Sequence, residues 1–516
     1  MGAARNILFV TADQWRGGGL SAQGHPLVQT PCLDRLAAEG VLFRRHYAQA
    51  APCGPSRASL HTGMYLQSHR SVTNGTPLDA RHTNWALELR ALGYDPALFG
   101  YTDTSPDPRG RPARDPALRS YEGILPGLTP VVPMGTVPWA WARWLAERGY
   151  EIPDNPYELY TRKRDSLEYE DGASTPARLA IPAEHHDTAF MIDQVMAWIR
   201  EQGARSWCAH VSLLRPHPPW IAPEPYHALY DPESIPGFVR AASAEDEGRQ
   251  HPWLAFHLGR RYFRAPSNER KLRRLAASYY GLMSEVDFQL GRLFDALRES
   301  GAWAHTLVVF TSDHGEQLGD HWMLAKGGYF DQSYHIPLII RDPRPEADTQ
   351  RGREVDRFTE NVDLMPTLLE WLGASVPIQC DGVSLLPLLC DEGAPSGWRT
   401  EVHWEFDFRE PVSGAPERAL GLTLDQCALC VIRDERYKYV HFAGLPALFF
   451  DLVDDPEERV DRAGDPAYAS RMLEYAQRML SWKMSHEERT LTHLYLTGEG
   501  VYSRSAPVDR GTAQSA

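Results

Sequence analysis

Three short stretches of this chain carry side chains able to act on an ester: Asp13-Gln14, Cys53-Gly-Pro-Ser-Arg57 and Asp313-His-Gly-Glu316. The first and third follow the apolar runs Ile7-Leu-Phe-Val-Thr11 and Leu307-Val-Val-Phe-Thr-Ser312, each of which reads as a buried strand. Ligands collect beyond the carboxyl ends of strands in an open α/β sheet, so Asp13, Asp313 and His314 are expected to converge despite their distance in sequence. Two carboxylates and an imidazole suit a hard or borderline divalent cation. Each piece also has a plain structural use: an Asp after a strand commonly caps a helix or turn, and Asp-His-Gly makes a turn by itself. Cys53 is harder to place from its type alone. Most free cysteines are small buried hydrophobes, and a thiolate phosphatase would need an arginine where this chain has Ser59.

The elements that must position these residues alternate. A strand over 6–11 is followed by an amphipathic helix that opens at Thr30-Pro31 and stops at Gly40, with Thr as N-cap and Pro in the first turn. A capped helix over 83–93 feeds a strand over 97–102, and the Pro- and Arg-rich passage 105–116 reads as loop. Helices over 187–202 and 268–301 precede strands over 207–214 and 306–312, respectively, in chain order. This alternation predicts an α/β sandwich around a large, mostly parallel central sheet, occupying residues 1–375. Short, closely spaced strands near 401–408, 428–433 and 437–442, then a helix over 466–483, predict a smaller C-terminal subdomain, 376–484, with an antiparallel sheet. Residues 485–516 form a tail that shows no helical or strand period, yet carries Leu491, Leu494, Tyr495, Leu496 and Tyr502, and a contact with another subunit is expected of it.

At 516 residues the chain is long enough for roughly two packed units. Hydrophobic residues at 43% and charged residues at 23% fit a soluble globular enzyme and exclude disordered or fibrous classes. The net charge of −15 argues against nucleic acid or a membrane surface as partner, so local charge must hold any anionic substrate. No stretch reaches the roughly 18 apolar residues of a membrane span. No leader precedes the first strand, and a cytoplasmic location is expected. Seven cysteines, an odd number, read as reduced thiols. Cys427 and Cys430 have a zinc-like spacing but lack a matching second pair, which favours core packing.

Taken together, Asp13-Gln14, Cys53 to Arg57, Ser312-Asp-His-Gly-Glu-Gln-Leu-Gly-Asp320, Arg215-Pro-His-Pro-Pro219 and Gly100-Tyr-Thr-Asp-Thr-Ser-Pro-Asp-Pro-Arg109 resemble bacterial phosphonate monoester hydrolases. These belong to the formylglycine sulfatases of the alkaline phosphatase superfamily, and the likeness extends to Cys427-Ala-Leu-Cys430 and Tyr437-Lys-Tyr-Val-His441. The resemblance implies an alkaline-phosphatase-like fold, and a formylglycine-generating maturase that oxidises Cys53 to formylglycine (3-oxoalanine). The nucleophile is then the hydrated aldehyde. One oxygen of the gem-diol attacks sulfur or phosphorus, and deprotonation of the other breaks the C–O bond of the resulting ester.

The same resemblance implies one divalent ion, Mn2+ or Ca2+, held by Asp13, hydrated Cys53, Asp313 and His314, which would acidify the attacking hydroxyl. It implies that Arg57 orients the hydrate and that His217 protonates or hydrogen-bonds the leaving oxygen. Lys326 would reach a non-bridging oxygen as a mobile point charge, while Asn74, Tyr101 and Thr102 would add neutral hydrogen bonds to the substrate. The family and the apolar tail imply a homo-oligomer, dimer or tetramer.

Many arylsulfatases carry a Gly-Lys-x-His segment that grips sulfate, where this chain has Gly100-Tyr101-Thr102-Asp103. With those two cations missing, monoanionic phosphonate monoesters and phosphodiesters are the expected substrates, with promiscuous hydrolysis of sulfate monoesters. The alternative is an arylsulfatase as the main activity, which the sulfatase-typical Ser56 favours. Asp103 departs from the threonine of the phosphonate hydrolases, and its carboxylate would repel an anion unless it points away or pairs with a cation. A phosphomutase or alkaline phosphatase shares the fold but would not need Cys53, and a non-catalytic binding module would hold no divalent ion.

Overall fold

The computed structural model of the chain describes residues 5–161, 177–390 and 395–503. Thirteen strands build its two main sheets: β1 (Asn6–Ala12), β2 (Val41–Tyr47), β3 (Ala50–Ala51), β4 (Ala97–Gly100), β5 (Thr129–Pro133), β6 (Cys208–Leu213), β7 (Thr306–Thr311), β8 (His335–Arg341), β9 (Arg353–Glu360), β10 (Val402–Asp407), β11 (Ala428–Arg433), β12 (Tyr437–Phe442) and β13 (Leu448–Asp451). The larger sheet has the order β5-β4-β6-β1-β7-β8-β2-β9. β1 lies in its middle, parallel to both β6 and β7, and β8 alone runs against its neighbours β7 and β2.

A strand paired on both edges and covered on both faces has no side open to water, so β1 is a continuous apolar run rather than an alternating one. Its side chains still alternate: Leu8, Val10 and Ala12 enter the core under the helices Asp187–Gln202 and Glu269–Glu299, while Ile7 and Phe9 enter the core on the opposite face. The Cys53–Thr62 helix packs on that second face through Ala58 and Leu60. Because β1, β4, β6 and β7 are parallel, Ala12, Gly100, Leu213 and Thr311 all end at one sheet edge. The site is built there.

The smaller sheet has the order β13-β12-β11-β10-β3 and is antiparallel except where β3 joins β10. The register pairs Glu405 with Ala50 and Phe406 with Ala51, so two residues just ahead of Cys53 complete a sheet otherwise made by the last third of the chain. The helix Ala469–Ser485 covers it through Tyr475, Met479 and Trp482. Cys427 and Cys430 are buried in separate apolar clusters of this region. Among the described residues no helix is long and apolar enough to cross a membrane.

Strands β2, β5, β8 and β9 were not evident from the sequence pattern, because short runs interrupted by charge or proline give no clear period. The tail also differs from expectation. Residues Leu494–Thr497 (β14) and Gly500–Ser503 (β15) form an antiparallel hairpin around Gly498-Glu499, with every residue exposed. Alternation gives no signal when neither face of a hairpin is buried. Residues 504–516 of the tail and 1–4 of the first domain lie outside the described residues.

Candidate active site

Cys53 is the first residue of a ten-residue helix that is buried along its whole length. Its Sγ, standing where an oxygen of the hydrated aldehyde would be, lies 3.2 Å from Nε2 of His314. The next turn binds the helix to the end of β7: the Ser56 hydroxyl donates to the Asp313 carbonyl, and Arg57 Nε donates to Asp313 Oδ2 at 3.0 Å. Arg57 Nη2 donates to Asp13 Oδ2 at 3.2 Å, and Nη1 donates to Ser212 Oγ at 2.8 Å and to the Tyr101 carbonyl at 3.3 Å. The guanidinium therefore fixes the ends of four adjacent strands. It stands behind the carboxylates and stacks on the Tyr101 ring at 4.4 Å.

Ligand atoms of Asp13, Cys53, Asp313 and His314 all lie within 4.8 Å of one another, and all four residues are buried. Asp13 Oδ1 makes no hydrogen bond, a costly state for a buried carboxylate oxygen. His314 Nδ1 is oriented by the Gly315 carbonyl at 3.0 Å, which leaves Nε2 facing the two acids, 3.7 Å from Asp13 and 3.5 Å from Asp313. Burial works against ionising Asp13, but His217, His314 and Arg57 outweigh it and hold the carboxyl below the usual range. Burial and the nearby acids push the Cys53 thiol well above its ordinary value, so the unmodified residue is not a thiolate. Two carboxylates, one of them with an oxygen that has no partner, and an imidazole fit a divalent cation.

One lysine and one histidine join the site from other segments. Lys326 Nζ donates to Gln14 Oε1 at 2.7 Å. Burial lowers its affinity for the proton, but the carboxylates of Asp13 and Asp313 oppose this and its pKa is raised, so Lys326 stays an ammonium at neutral pH. The Gln14 amide donates to Glu316, whose other oxygen accepts the Leu318 and Ala325 N–H groups at 2.8 Å each. Burial pushes the Glu316 carboxyl up to about 7. His217 follows β6 on a loop clamped by the buried Arg215, whose Nη1 donates to the His217 carbonyl at 2.8 Å while Nε donates to Asp187 at 3.3 Å. His217 Nδ1 donates to the Pro218 carbonyl at 2.7 Å, so Nε2 is the free nitrogen. Burial lowers its pKa to about 4, against the pull of Asp13. At neutral pH the free protein presents an unprotonated Nε2.

The segment after β4 serves the carboxylates and the loop more than open space. Gly100 has φ +104°, and a Cβ there would lie 2.0 Å from the Ser212 carbonyl oxygen, so the turn into the site requires glycine. The Tyr101 hydroxyl donates to Asp13. Thr102 Oγ1 donates to the Gly123 carbonyl at 2.9 Å and accepts the Leu125 N–H at 2.8 Å. Direct hydrogen bonds from Tyr101 and Thr102 to substrate were expected; both hydroxyls are instead engaged in fixing Asp13 and the 123–125 strap. Asn74 Oδ1 accepts the Gly54 N–H at 2.8 Å, which orients its amide beside Cys53. Asp103 points inward, its Oδ2 3.9 Å from Arg57 Nε and its Oδ1 without a partner.

Gln14, Glu316, Ser212 and Arg215 were not singled out as site residues from sequence. Gln14, Glu316 and Arg215 lie inside the quoted motifs, so adjacency to Asp13, His314 and His217 was the available signal. Ser212 had none, since it is an ordinary small residue in an apolar strand.

Residues 5–374 match the sulfatase family model, and residues 319–485 match the model for the C-terminal region of N-sulphoglucosamine sulphohydrolase. The chain is 44% identical to the multifunctional alkaline phosphatase superfamily protein PehA of Trinickia caryophylli, over 97% of this chain and 99% of that protein. It superposes on the crystal structure of the phosphonate monoester hydrolase of Agrobacterium radiobacter with a TM-score of 0.90 at 46% identity, covering 97% and 99% of the two chains. The phosphonate monoester hydrolase of Silicibacter pomeroyi gives the same TM-score and coverage at 39% identity.

Proposed function

The chain belongs to the sulfatase family, within the alkaline phosphatase superfamily, and on that premise we propose that it hydrolyses phosphonate monoesters and phosphodiesters, with sulfate monoesters as promiscuous substrates. The family makes it an ester hydrolase. The observation that carries the finer reading is the gathering of Asp13, Cys53, Asp313 and His314 around one point, beside a Gly100-Tyr101-Thr102-Asp103 segment that offers no cation. A site with few cations is poorly matched to a dianion, so esters with one negative charge fit it better. The names of the relatives at 44% and 46% identity support the phosphonate reading.

Asp13, Asp313 and His314, with an oxygen of formylglycine at position 53, would hold one divalent ion, Mn2+ or Ca2+. Bound there, ion and aldehyde hydrate supply Lewis-acid polarisation and a hydroxyl that is nucleophilic near neutral pH. The chain's own residues do the rest. Arg57 keeps both carboxylates in fixed rotamers from behind. Lys326 offers a point charge to a non-bridging oxygen, and Gln14 limits where that charge can go. Asn74 presents its amide from the other side. His217 Nε2 is available to the leaving oxygen and would pass to it the proton that the attacking hydroxyl gives up. Cys53 requires a maturase for this chemistry. Seven cysteines without a disulfide support a reducing, cytoplasmic setting.

A second reading, an arylsulfatase, is favoured by the sulfatase family model and by Ser56 in the Cys53 segment. The kcat/KM values of the metal-loaded enzyme for an aryl phosphonate monoester and the matching aryl sulfate decide between them. The first is expected to be larger; a clear excess for the sulfate reverses the assignment.

A further inference from the structure

Asp103 is a buried carboxyl group at the floor of the site for which the fold provides no hydrogen-bond donor. Its backbone is left-handed, φ 46°, a conformation aspartate tolerates better than most residues and one that here turns its side chain inward. The neighbouring residues are immobilised: Gly100 cannot be replaced, Thr102 is bonded on both sides of its hydroxyl, and the Thr104 N–H donates to the Gly123 carbonyl at 3.1 Å. The carboxylate is therefore held where it is. Arg57 is the cation nearest to it, but the 3.9 Å separation from Nε is too long for a hydrogen bond. The Nε proton already goes to Asp313, and the Nη groups go to Asp13, Ser212 and the Tyr101 carbonyl. Oδ1 has no partner at all. Burial, helped by Asp13, Glu122 and Asp313 and opposed by Arg57, pushes the Asp103 carboxyl up to about 7, so the group is fully charged only above neutral pH.

We propose that Asp103 is the charge-selecting residue of the site: its carboxylate disfavours dianionic ligands and so directs the enzyme to esters that carry one negative charge. This rests on the ester-hydrolase function given above and assigns its preference for a single negative charge to one residue. Two like charges several ångströms apart in a half-screened protein interior repel by enough to change affinity on the order of tenfold or more. A second negative charge on the ligand increases that repulsion; it increases the attraction to Lys326 and to a bound cation as well, and this part cancels when wild type is compared with a variant at position 103.

The test is equilibrium binding at about pH 9, where both the Asp103 carboxyl and the dianionic probe are ionised, of two non-hydrolysable probes of similar shape to the metal-loaded enzyme, phenylphosphonate as dianion and methyl(phenyl)phosphinate as monoanion. Wild type is expected to prefer the phosphinate. Asp103→Asn, which keeps the shape and tolerates the left-handed backbone, is expected to tighten phenylphosphonate on the order of tenfold more than the phosphinate. Asp103→Ser serves as the second variant should the first fail to fold. A ratio of dissociation constants that moves less than about twofold in a folded, metal-loaded variant overturns the proposal, as does equal tightening of both probes. Because binding is read without turnover, an enzyme that hydrolyses aryl sulfate but not aryl phosphonate would refute the phosphonate reading while leaving the Asp103 measurement decisive.

Discussion

Arg57 Nε lies 3.0 Å from Asp313 Oδ2, with both side chains fully buried. Removing one partner of such a pair leaves an uncompensated charge in the core, which costs about 3–5 kcal/mol. Arg57→Ala is therefore expected to lower the melting temperature and to lose the divalent ion, because Asp13 and Asp313 both lose their anchor. Arg57→Lys keeps the charge but cannot reach both acids, and should retain fold better than metal. Thermal melts with elemental analysis of the purified variants check both.

Cys53→Ser and Cys53→Ala should fold, since the thiol is small and its one hydrogen-bond contact is with His314. Both are expected to lose at least about a thousandfold in kcat, as enzymes deprived of their nucleophile do. Active wild type should show residue 53 as an aldehyde in its peptide mass. Full activity with the thiol intact, or in Cys53→Ser, would overturn the mechanism.

His217→Gln should slow esters with poor leaving groups far more than nitrophenyl esters. A lost proton donor costs about 100- to 10,000-fold where the leaving oxygen needs the proton. An equal loss across a leaving-group series would assign His217 to structure instead.

Asp287, on the long Glu269–Glu299 helix, accepts the Cys32 and Leu33 N–H groups at 3.1 and 2.7 Å and so caps the helix Pro31–Glu39. Burial raises its pKa from 3.8 to about 6, against those hydrogen bonds. The folded protein holds this proton more tightly than the unfolded chain, so the stabilisation is full below pH 3.8 and is lost as pH rises to about 6. Relative to Asp287→Asn, wild type should lose stability across that window by at most about 1.4 kcal/mol per pH unit, then level off. Denaturant melts over this pH range check the slope.

The exposed hairpin carries Leu494, Tyr495, Leu496, Val501 and Tyr502, and two strands alone are marginal in water. We propose that this hairpin is the subunit contact expected of the tail, and a chain ending at Ser485 should then form smaller species than the full chain by light scattering. Identical masses would exclude it from the assembly.

The sequence displayed what is periodic or chemically specific. β1 and β7 were legible because a strand buried on both faces is a continuous apolar run, and Asp13, Asp313 and His314 could be placed because they follow those runs. The sheet's far edge was not legible: β9 alternates charge with apolar residues in a way that suits a half-exposed edge and equally a loop. Roles were harder than positions. Nothing in their types tells that Tyr101 donates to Asp13, that Thr102 fastens a strap, or that Gln14 holds Lys326, since these depend on which neighbour arrives from a distant segment.

The pairing of Ala50 and Ala51 with Glu405 and Phe406 ties the segment ahead of Cys53 to strands made late in synthesis. While the polypeptide is being made, the stretch bearing Cys53 has no partner strand until the last third has left the ribosome, on the order of tens of seconds later at typical elongation rates. Afterwards the thiol is sealed at 5% exposure. If a maturase converts it as proposed, the unfolded or nascent chain offers that enzyme better access than the folded protein does.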